Sequence, residues 1–128
     1  MCLIALACNV HPDYPLLMVA NRDEFHARPA AALAWWTDHP DLLAGRDLAE
    51  GGTWLGVSRS GRVAAVTNVR ASGSAVRGAL SRGRLATAFL TGTLDPEDFA
   101  AMLEPSAAQY GGFNLLMFDG RYSHYFSN

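Results

Sequence analysis

The stretch CLIALACNVHPDYPLLMVANR, residues 2–22, predicts an antiparallel β-hairpin at the amino end of the chain. Two apolar runs, residues 2–9 and 16–22, flank a segment whose His-Pro-Asp and Tyr-Pro steps are typical of turns. The first run is apolar at nearly every position rather than at every second one. Such a strand is usually covered on both faces, so we expect it in the middle of a multilayer fold.

The register of this hairpin decides which side chains meet at its open end. If the two strands are symmetric about the turn, Ile4 faces Asn21 and Cys2 faces Asp23, while Arg22 lies on the opposite face. Directly opposed side chains have Cβ atoms about 5 Å apart. A bulge in either strand would shift the pairing by one residue and change the face of every side chain.

The segment VANRDEFHARP, residues 19–29, carries an unusual density of polar side chains directly after the second strand. Removal of Met1 by a methionine aminopeptidase would leave a free α-amine on Cys2. An α-amine titrates near about 7.7–8.0, just below a thiol at about 8.5, and can therefore act as the base for its own thiol. A carboxylate at Asp23 would orient that amine. In the alternative interpretation Cys2 is a small buried apolar residue, as we expect for Cys8.

The rest of the chain alternates hairpins with two helices. Further hairpins are predicted from the runs TWLGVS and RVAAVTNV, and from FNLLMF and RYSHYF around Asp119-Gly120. One helix is predicted over residues 81–91, with a buried stripe of Leu85, Ala86, Phe89 and Leu90. A second begins at the N-cap Asp95, ends before Pro105 and buries Phe99, Met102 and Leu103. Residues 26–52 are expected to be mostly loop, with a short strand at Trp35-Trp36.

Composition excludes several functional classes. A chain of 128 residues with a net charge of −2 is one domain without the basic surface of a nucleic-acid-binding protein. No apolar run is long enough to span a bilayer and no cationic leader precedes the first strand, so we expect a cytoplasmic protein. Cys2 and Cys8 would lie about 20 Å apart on one strand at roughly 3.3 Å per residue, too far for a disulfide. The four histidines have no metal-ligand spacing, so neither a metal nor a cofactor is expected.

Other side chains are candidates for binding or for anchoring a loop. Trp54 could line a pocket for an acyl or ring group, although we expect at least two of the three tryptophans in the core. Arg28 and the AGRD segment, residues 44–47, could anchor the long loop through ion pairs or bind an anion. His26 is close enough to Asp23 in sequence to carry a proton, but a surface-loop position is expected.

Several separate motifs, in order, resemble the NRDE family, also called the transport and Golgi organisation protein 2 family. They are MCLIALA, ANRDEFHARPA, GGTWLGVSRSGRVAAVTN, RGRLATAFL and GGFNLLMFD. The family is grouped with the N-terminal nucleophile hydrolases, which implies an α+β fold of two antiparallel sheets layered between helices (αββα). The chain is also distantly similar to bile salt hydrolases and penicillin V acylases.

The resemblance implies roles for particular residues. Cys2 would be the nucleophile of a hydrolase of linear amides, that is, of C–N bonds other than peptide bonds, or of related acyl compounds. Asn21 and Asp23 would orient it, and Asn68 would donate to the oxyanion. Ala20 stands where the acylases carry an arginine, which leaves Arg22, Arg28 or Arg46 as replacements. Together with Trp54, Arg22 and Arg28 are the candidate binding residues.

Family members are about twice as long, so we expect residues 1–128 to be a single NRDE-type domain truncated at its carboxyl end. A truncated sheet exposes edges and apolar faces, which predicts a homo-oligomer. Without the remaining half the chain could also be inactive. The alternative function is a non-enzymatic carrier of haem or lipid, or a trafficking-related binding protein, as has been suggested for eukaryotic members. Because the sequence has no CxxCH or Cys-Pro haem motif, a haem site would depend on histidine or an exposed cysteine.

Overall fold

The computed structural model describes residues 2–69 and 78–128, and the fold is α+β with antiparallel sheets. Met1, on whose removal the free-amine hypothesis depends, lies outside the described residues. A short 3₁₀ helix, Glu104–Gln109, joins the second α-helix to the strand that follows it. The strands are β1 (Leu3–His11), β2 (Tyr14–Asn21), β3 (Ala30–Trp35), β4 (Leu42–Asp47), β5 (Leu55–Ser58), β6 (Val63–Asn68), β7 (Phe113–Phe118) and β8 (Ser123–Ser127), and the α-helices are α1 (Gly83–Thr91) and α2 (Pro96–Leu103).

The hairpin β1–β2 is confirmed, but its predicted register is wrong by one residue. Ile4 pairs with Ala20, not with Asn21, and Asn21 pairs with Leu3. The pairing changes between Cys8 and His11, where β1 contains one residue more than β2. Asn9 has a φ of 55° at this bulge, a left-handed conformation that asparagine tolerates better than most residues. The bulge therefore shifts the part of β1 that precedes it, Leu3 to Cys8, by one residue relative to β2.

β1 is also less buried than predicted. The two strands form a sheet of their own, and most of their side chains are exposed. One face of the hairpin, with Leu6 and Met18, lies opposite Leu116 and Tyr125 of the larger sheet across a groove of about 230 Å³. No described residue packs over the other face closely enough to bury Val19, which is 76% exposed. The expectation of a strand covered on both sides is thus not met in this chain.

The other six strands form one antiparallel sheet in sequence order, from β3 at one edge to β8 at the other. The predicted hairpins β5–β6 and β7–β8 are both present. The hairpin β3–β4 was not predicted, because residues 26–52 were expected to be mostly loop. β3 consists largely of alanine and is exposed throughout, so it carries neither the alternation nor the β-branched residues that identify a strand.

Both helices cover one face of this sheet and enclose the core. On α1, Leu85, Ala86, Phe89 and Leu90 are buried, as predicted. These side chains pack with Leu115 and with its neighbours on the same face of β4, β6 and β7. The helices, the larger sheet and the hairpin therefore form three successive layers.

Helix α2 begins as predicted but buries a different stripe. The Asp95 side chain accepts a hydrogen bond from the Asp98 N–H at 2.8 Å, and the α-helix ends before Pro105. Phe99 and Leu103 are buried, whereas Met102 is 54% exposed. Ala100 occupies the position against the core that was assigned to Met102. Around the helix Ala100 lies beside Leu103 and Met102 lies on the other side of Phe99, so the helix is rotated and faces the core with its Leu103 side.

Candidate functional site

A cavity of about 570 Å³ lies where the ends of several strands converge with the start of α1. The segment after β2, the end of β4 and the end of β6 form its walls. Six of the seven residues predicted from the sequence as catalytic or binding line this cavity. The predicted residues that line the cavity are Cys2, Arg22, Asp23, Arg28, Trp54 and Asn68.

Cys2 is half-buried and contacts the backbone of Asp23. The Asp23 N–H donates to Cys2 Sγ at 3.4 Å, and the thiol lies 3.9 Å from the Asp23 carbonyl oxygen, to which it donates. The shifted register places Arg22, rather than Asp23, next in line opposite Cys2. Cys2 and Asp23 nevertheless meet, because the chain leaves the strand geometry after Asn21 and its backbone turns toward the sulfur.

The two asparagines assigned to the site have different positions. Asn68 is the last residue of β6, is exposed and lines the cavity. Asn21 is paired with Leu3 at the end of the hairpin and does not line the cavity. Since side chains alternate along a strand, Asn21 lies on the outer face with Leu3. The bulge in β1 is what separates Asn21 from the predicted cluster.

Three arginines of the wall are held by carboxylates, and one of them is Arg46, which is paired with Asp38. Arg28 donates from Nε and Nη2 to one Asp47 oxygen at 3.0 and 2.6 Å, which confirms the ion-pair interpretation of this loop. Burial disfavours the charged form of Asp47, but the hydrogen bond from Arg28, assisted by the Ala49 N–H, outweighs it and lowers the pKa of Asp47. Arg22 lies 3.1 Å from the Glu24 carboxylate. All three guanidinium groups are thus positioned before any ligand enters.

Trp54 and Phe25 contribute the aromatic side chains of the wall. Trp54 is half-buried and packs against the hydrophobic core, so its ring position is fixed. Of the other tryptophans, Trp36 is buried and donates from its indole N–H to the Ala44 carbonyl, while Trp35 is 44% exposed. Trp36 is therefore in the core, and Trp54 belongs both to the core's edge and to the cavity.

Arg82, which sequence reasoning missed, lies on the cavity wall directly before α1. It occupies the N-cap position, where no side chain caps the helix. The adjacent Gly83 is packed so tightly against Gly52 that a Cβ on Gly52 would lie 2.5 Å from the Gly83 carbonyl carbon. This glycine contact brings the start of α1, and Arg82 with it, against the strand ends. A basic residue at the positive end of a helix is electrostatically unfavourable. An arginine at the start of the predicted helix was therefore the sequence signal from which a role for Arg82 could have been inferred.

Two further observations concern metals and membranes. Within residues 2–69 and 78–128, no three His, Cys, Asp or Glu side chains are grouped as metal ligands would be. None of the helices in the same ranges is long and apolar enough to cross a bilayer.

Comparison with known proteins identifies the family. The family model described as "Transport and Golgi organisation 2" matches residues 1–128. The chain belongs to the Transport and Golgi organisation 2 family. The resemblance noted from the sequence motifs is thereby confirmed.

Relatives in animals match the Transport and Golgi organisation 2 family member described here over nearly its whole length. The homologue from Bos taurus is 38% identical and the one from Homo sapiens 36% identical, each over 93% of this chain. The protein from Drosophila melanogaster is 30% identical over 91% of this chain. In all three cases the match covers 45% of the relative, so the chain spans about half the length of these curated relatives.

Proposed function

We propose that this chain carries the nucleophile end of an N-terminal cysteine hydrolase acting on linear amides or related acyl compounds. The observation that carries the proposal is Cys2, half-buried in the wall of the cavity of about 570 Å³, with the Asp23 N–H 3.4 Å from its sulfur. An N–H that points at a sulfur stabilises negative charge developing there. Arg28, Trp54 and Asn68 around the same cavity supply the binding surface.

The first chemical step forms an acyl-enzyme. After removal of Met1, the Cys2 thiol gives its proton to its own α-amine, and the sulfur attacks the carbonyl carbon of the amide. The resulting oxyanion accepts a hydrogen bond from the Asn68 side chain. The α-ammonium then protonates the leaving nitrogen, the C–N bond breaks, and a thioester to Cys2 remains together with a free amine.

The second step releases the acid. Water, deprotonated by the α-amine, attacks the thioester carbonyl, and the sulfur leaves as the thiolate and is reprotonated. Asp23 accepts a hydrogen bond from the α-ammonium and holds it beside the sulfur through both steps. Asn21 has no part in this mechanism, because it does not line the cavity.

The decisive experiment compares Cys2→Ala with Cys8→Ala. The substrates are acetyl, butyryl and octanoyl p-nitroanilides, with mass spectrometry of the amino-terminal peptide to locate any acyl group. We expect Met1 to be absent, the acyl group to appear on Cys2, and turnover to be lost in Cys2→Ala but kept in Cys8→Ala. Equal turnover in both variants, or retention of Met1 in an active protein, would refute the mechanism.

A specific observation favours a second candidate, a carrier of apolar ligands. The groove between the hairpin and the larger sheet is lined mainly by apolar side chains, with Cys8 and His124 at its border. Its volume of about 230 Å³ lies below the roughly 300–1,000 Å³ of typical ligand pockets, so it suits an acyl chain better than haem. The names of the relatives, which refer to transport and Golgi organisation, agree with a carrier or a trafficking-related binding protein.

Titration with haemin and with a fluorescent fatty acid tests the carrier. Saturable fatty-acid binding that is weakened by Met18→Lys in the groove, with no specific haemin spectrum, would support a lipid carrier. A haemin spectrum that is lost in His124→Ala would support a haem carrier. Binding of neither ligand would remove this candidate.

A further inference from the structure

Arg82 differs from the other arginines of the cavity in having no carboxylate partner. Arg22 is paired with Glu24, Arg28 with Asp47 and Arg46 with Asp38. Arg82 donates from Nη1 to the Gly112 carbonyl oxygen at 2.9 Å, and no Asp or Glu among the described residues lies within ion-pair distance of it. A guanidinium group has five N–H donors, so most of the donors of Arg82 remain available.

The surroundings of Arg82 leave its charge poorly compensated. Burial lowers the pKa of Arg82 most, the positive charge of Arg28 lowers it further, and the smaller effect of the Glu24 charge is in the opposite direction. The side chain is only half-exposed, and it stays charged because an arginine does not lose its proton in a protein. Arg82 is thus a half-buried cation that faces a cavity, and the charge of Arg28 affects it more than the charge of Glu24 does. Such a cation favours an anionic ligand.

We propose that Arg82 binds a carboxylate group of the molecule that enters the cavity beside Cys2. Together with the proposed hydrolase function, on which this substrate assignment rests, it defines the substrates as acyl compounds that carry a carboxylate. Such a ligand would place its acyl carbonyl at Cys2 and its carboxylate on the guanidinium group of Arg82. The planar fork of arginine matches a carboxylate through two parallel hydrogen bonds.

The charge of the cavity favours a carboxylate over a phosphate group. Arg82 supplies one unpaired positive charge, which a single carboxylate neutralises. Asp23, Glu24 and Glu50 also line the cavity and would repel the second negative charge of a phosphate group at neutral pH. A neutral amide group would not neutralise the charge of Arg82.

The test uses the two cysteines as reporters and requires no turnover. Iodoacetate and iodoacetamide have nearly the same shape, and both alkylate a thiolate by displacing iodide. The ratio of their rates therefore cancels the thiolate fraction and reports the preference for the carboxylate. Peptide mapping at pH 7 and low salt gives this ratio separately for Cys2 and for Cys8, whose groove is lined mainly by apolar side chains.

We expect the iodoacetate-to-iodoacetamide ratio to be about three- to tenfold higher at Cys2 than at Cys8, the size expected for one unit charge several Å away. Arg82→Gln should bring the two ratios together, and Arg82→Lys should retain part of the difference. Arg84→Gln is the matched control, because Arg84 lies exposed on the same helix and does not line the cavity. Added salt should reduce the difference in the wild type.

The outcomes separate this inference from the proposed function. Equal ratios at Cys2 and Cys8, or a ratio at Cys2 that Arg82→Gln leaves unchanged, would overturn the carboxylate site even if Cys2 is the nucleophile. Failure of both reagents to label Cys2 would also overturn it, because the cavity would then not admit even a two-carbon anion. An Arg82-dependent ratio without any Cys2-dependent turnover would support the anion site and reject the hydrolase.

Discussion

At the scale of single residues, Asp47 links the loop after β2 to the end of β4. Its carboxylate accepts from Arg28 and from the Ala49 N–H, and its side chain is only 16% exposed. Hydrogen bonds to charged groups contribute about 1.5–3 kcal/mol, so we expect Asp47→Asn to lower the free energy of unfolding at pH 7 by about that amount. Urea unfolding of both proteins measures the difference.

The pH dependence of that difference follows from the lowered pKa of Asp47. A carboxylate with a depressed folded-state pKa stabilises the fold above its ordinary pKa of about 3.9, and this stabilisation is lost as the pH falls through the folded-state value. The gap between wild type and Asp47→Asn should therefore narrow below about pH 4. Asp38→Asn is the control, because Asp38 pairs with Arg46 at the surface and should have a smaller effect. A gap that stays constant from pH 7 to pH 2 would contradict the ion pair.

Most of the site residues predicted from the sequence line the cavity, but the reason for the prediction was partly wrong. Cys2 and Asp23 do meet, although through the Asp23 backbone and not by facing each other across the hairpin. The bulge at Asn9 could not be predicted, because nothing in an apolar strand indicates which residue leaves the ladder. Arg82 was missed because its position depends on the contact between Gly52 and Gly83, 31 positions apart in the chain.

At the scale of elements, the helices follow local rules more closely than the strands do. The Asp95 cap, Pro96 at the first turn and the apolar stripe of α1 all act within a few residues, so they can be predicted from the sequence. The exposed strand β3 has no such local pattern and is held by its pairing with β4. Its existence is decided by tertiary contacts.

The orientation of α2 gives a test at this scale. Leu103 is buried at 3% exposure and belongs to the core, whereas the adjacent Met102 is mostly exposed. Truncation of a buried leucine leaves a cavity and costs about 2–5 kcal/mol, so Leu103→Ala should be strongly destabilising. Met102→Ala should change the free energy of unfolding by less than about 0.5 kcal/mol, the usual range for surface substitutions. Thermal and urea unfolding of the two variants compare them directly, and a larger loss for Met102→Ala would restore the stripe predicted from the sequence.

At the scale of the whole molecule, the layers explain where function and association are placed. The helices bury one face of the larger sheet, and the hairpin lies over the other face with an apolar groove between them. The cavity forms where strand ends from both sheets meet the start of α1. The outer face of the hairpin borders neither the groove nor the cavity, and it carries the exposed side chains Leu3, Leu17 and Val19.

This outer face leads to a prediction about the 128-residue chain in solution. Contiguous exposed apolar side chains typically mark an interaction surface, so we expect the chain to self-associate through the hairpin. Light scattering and sedimentation velocity over a range of concentrations should show an oligomer. Val19→Lys should shift it toward the monomer, because a charge would have to be buried in the contact. Leu48→Lys, a matched change at an exposed leucine outside the hairpin, should leave the association unchanged. A wild-type chain that is monomeric at every concentration, or an oligomer that Val19→Lys does not weaken, would show that the hairpin face is not the contact.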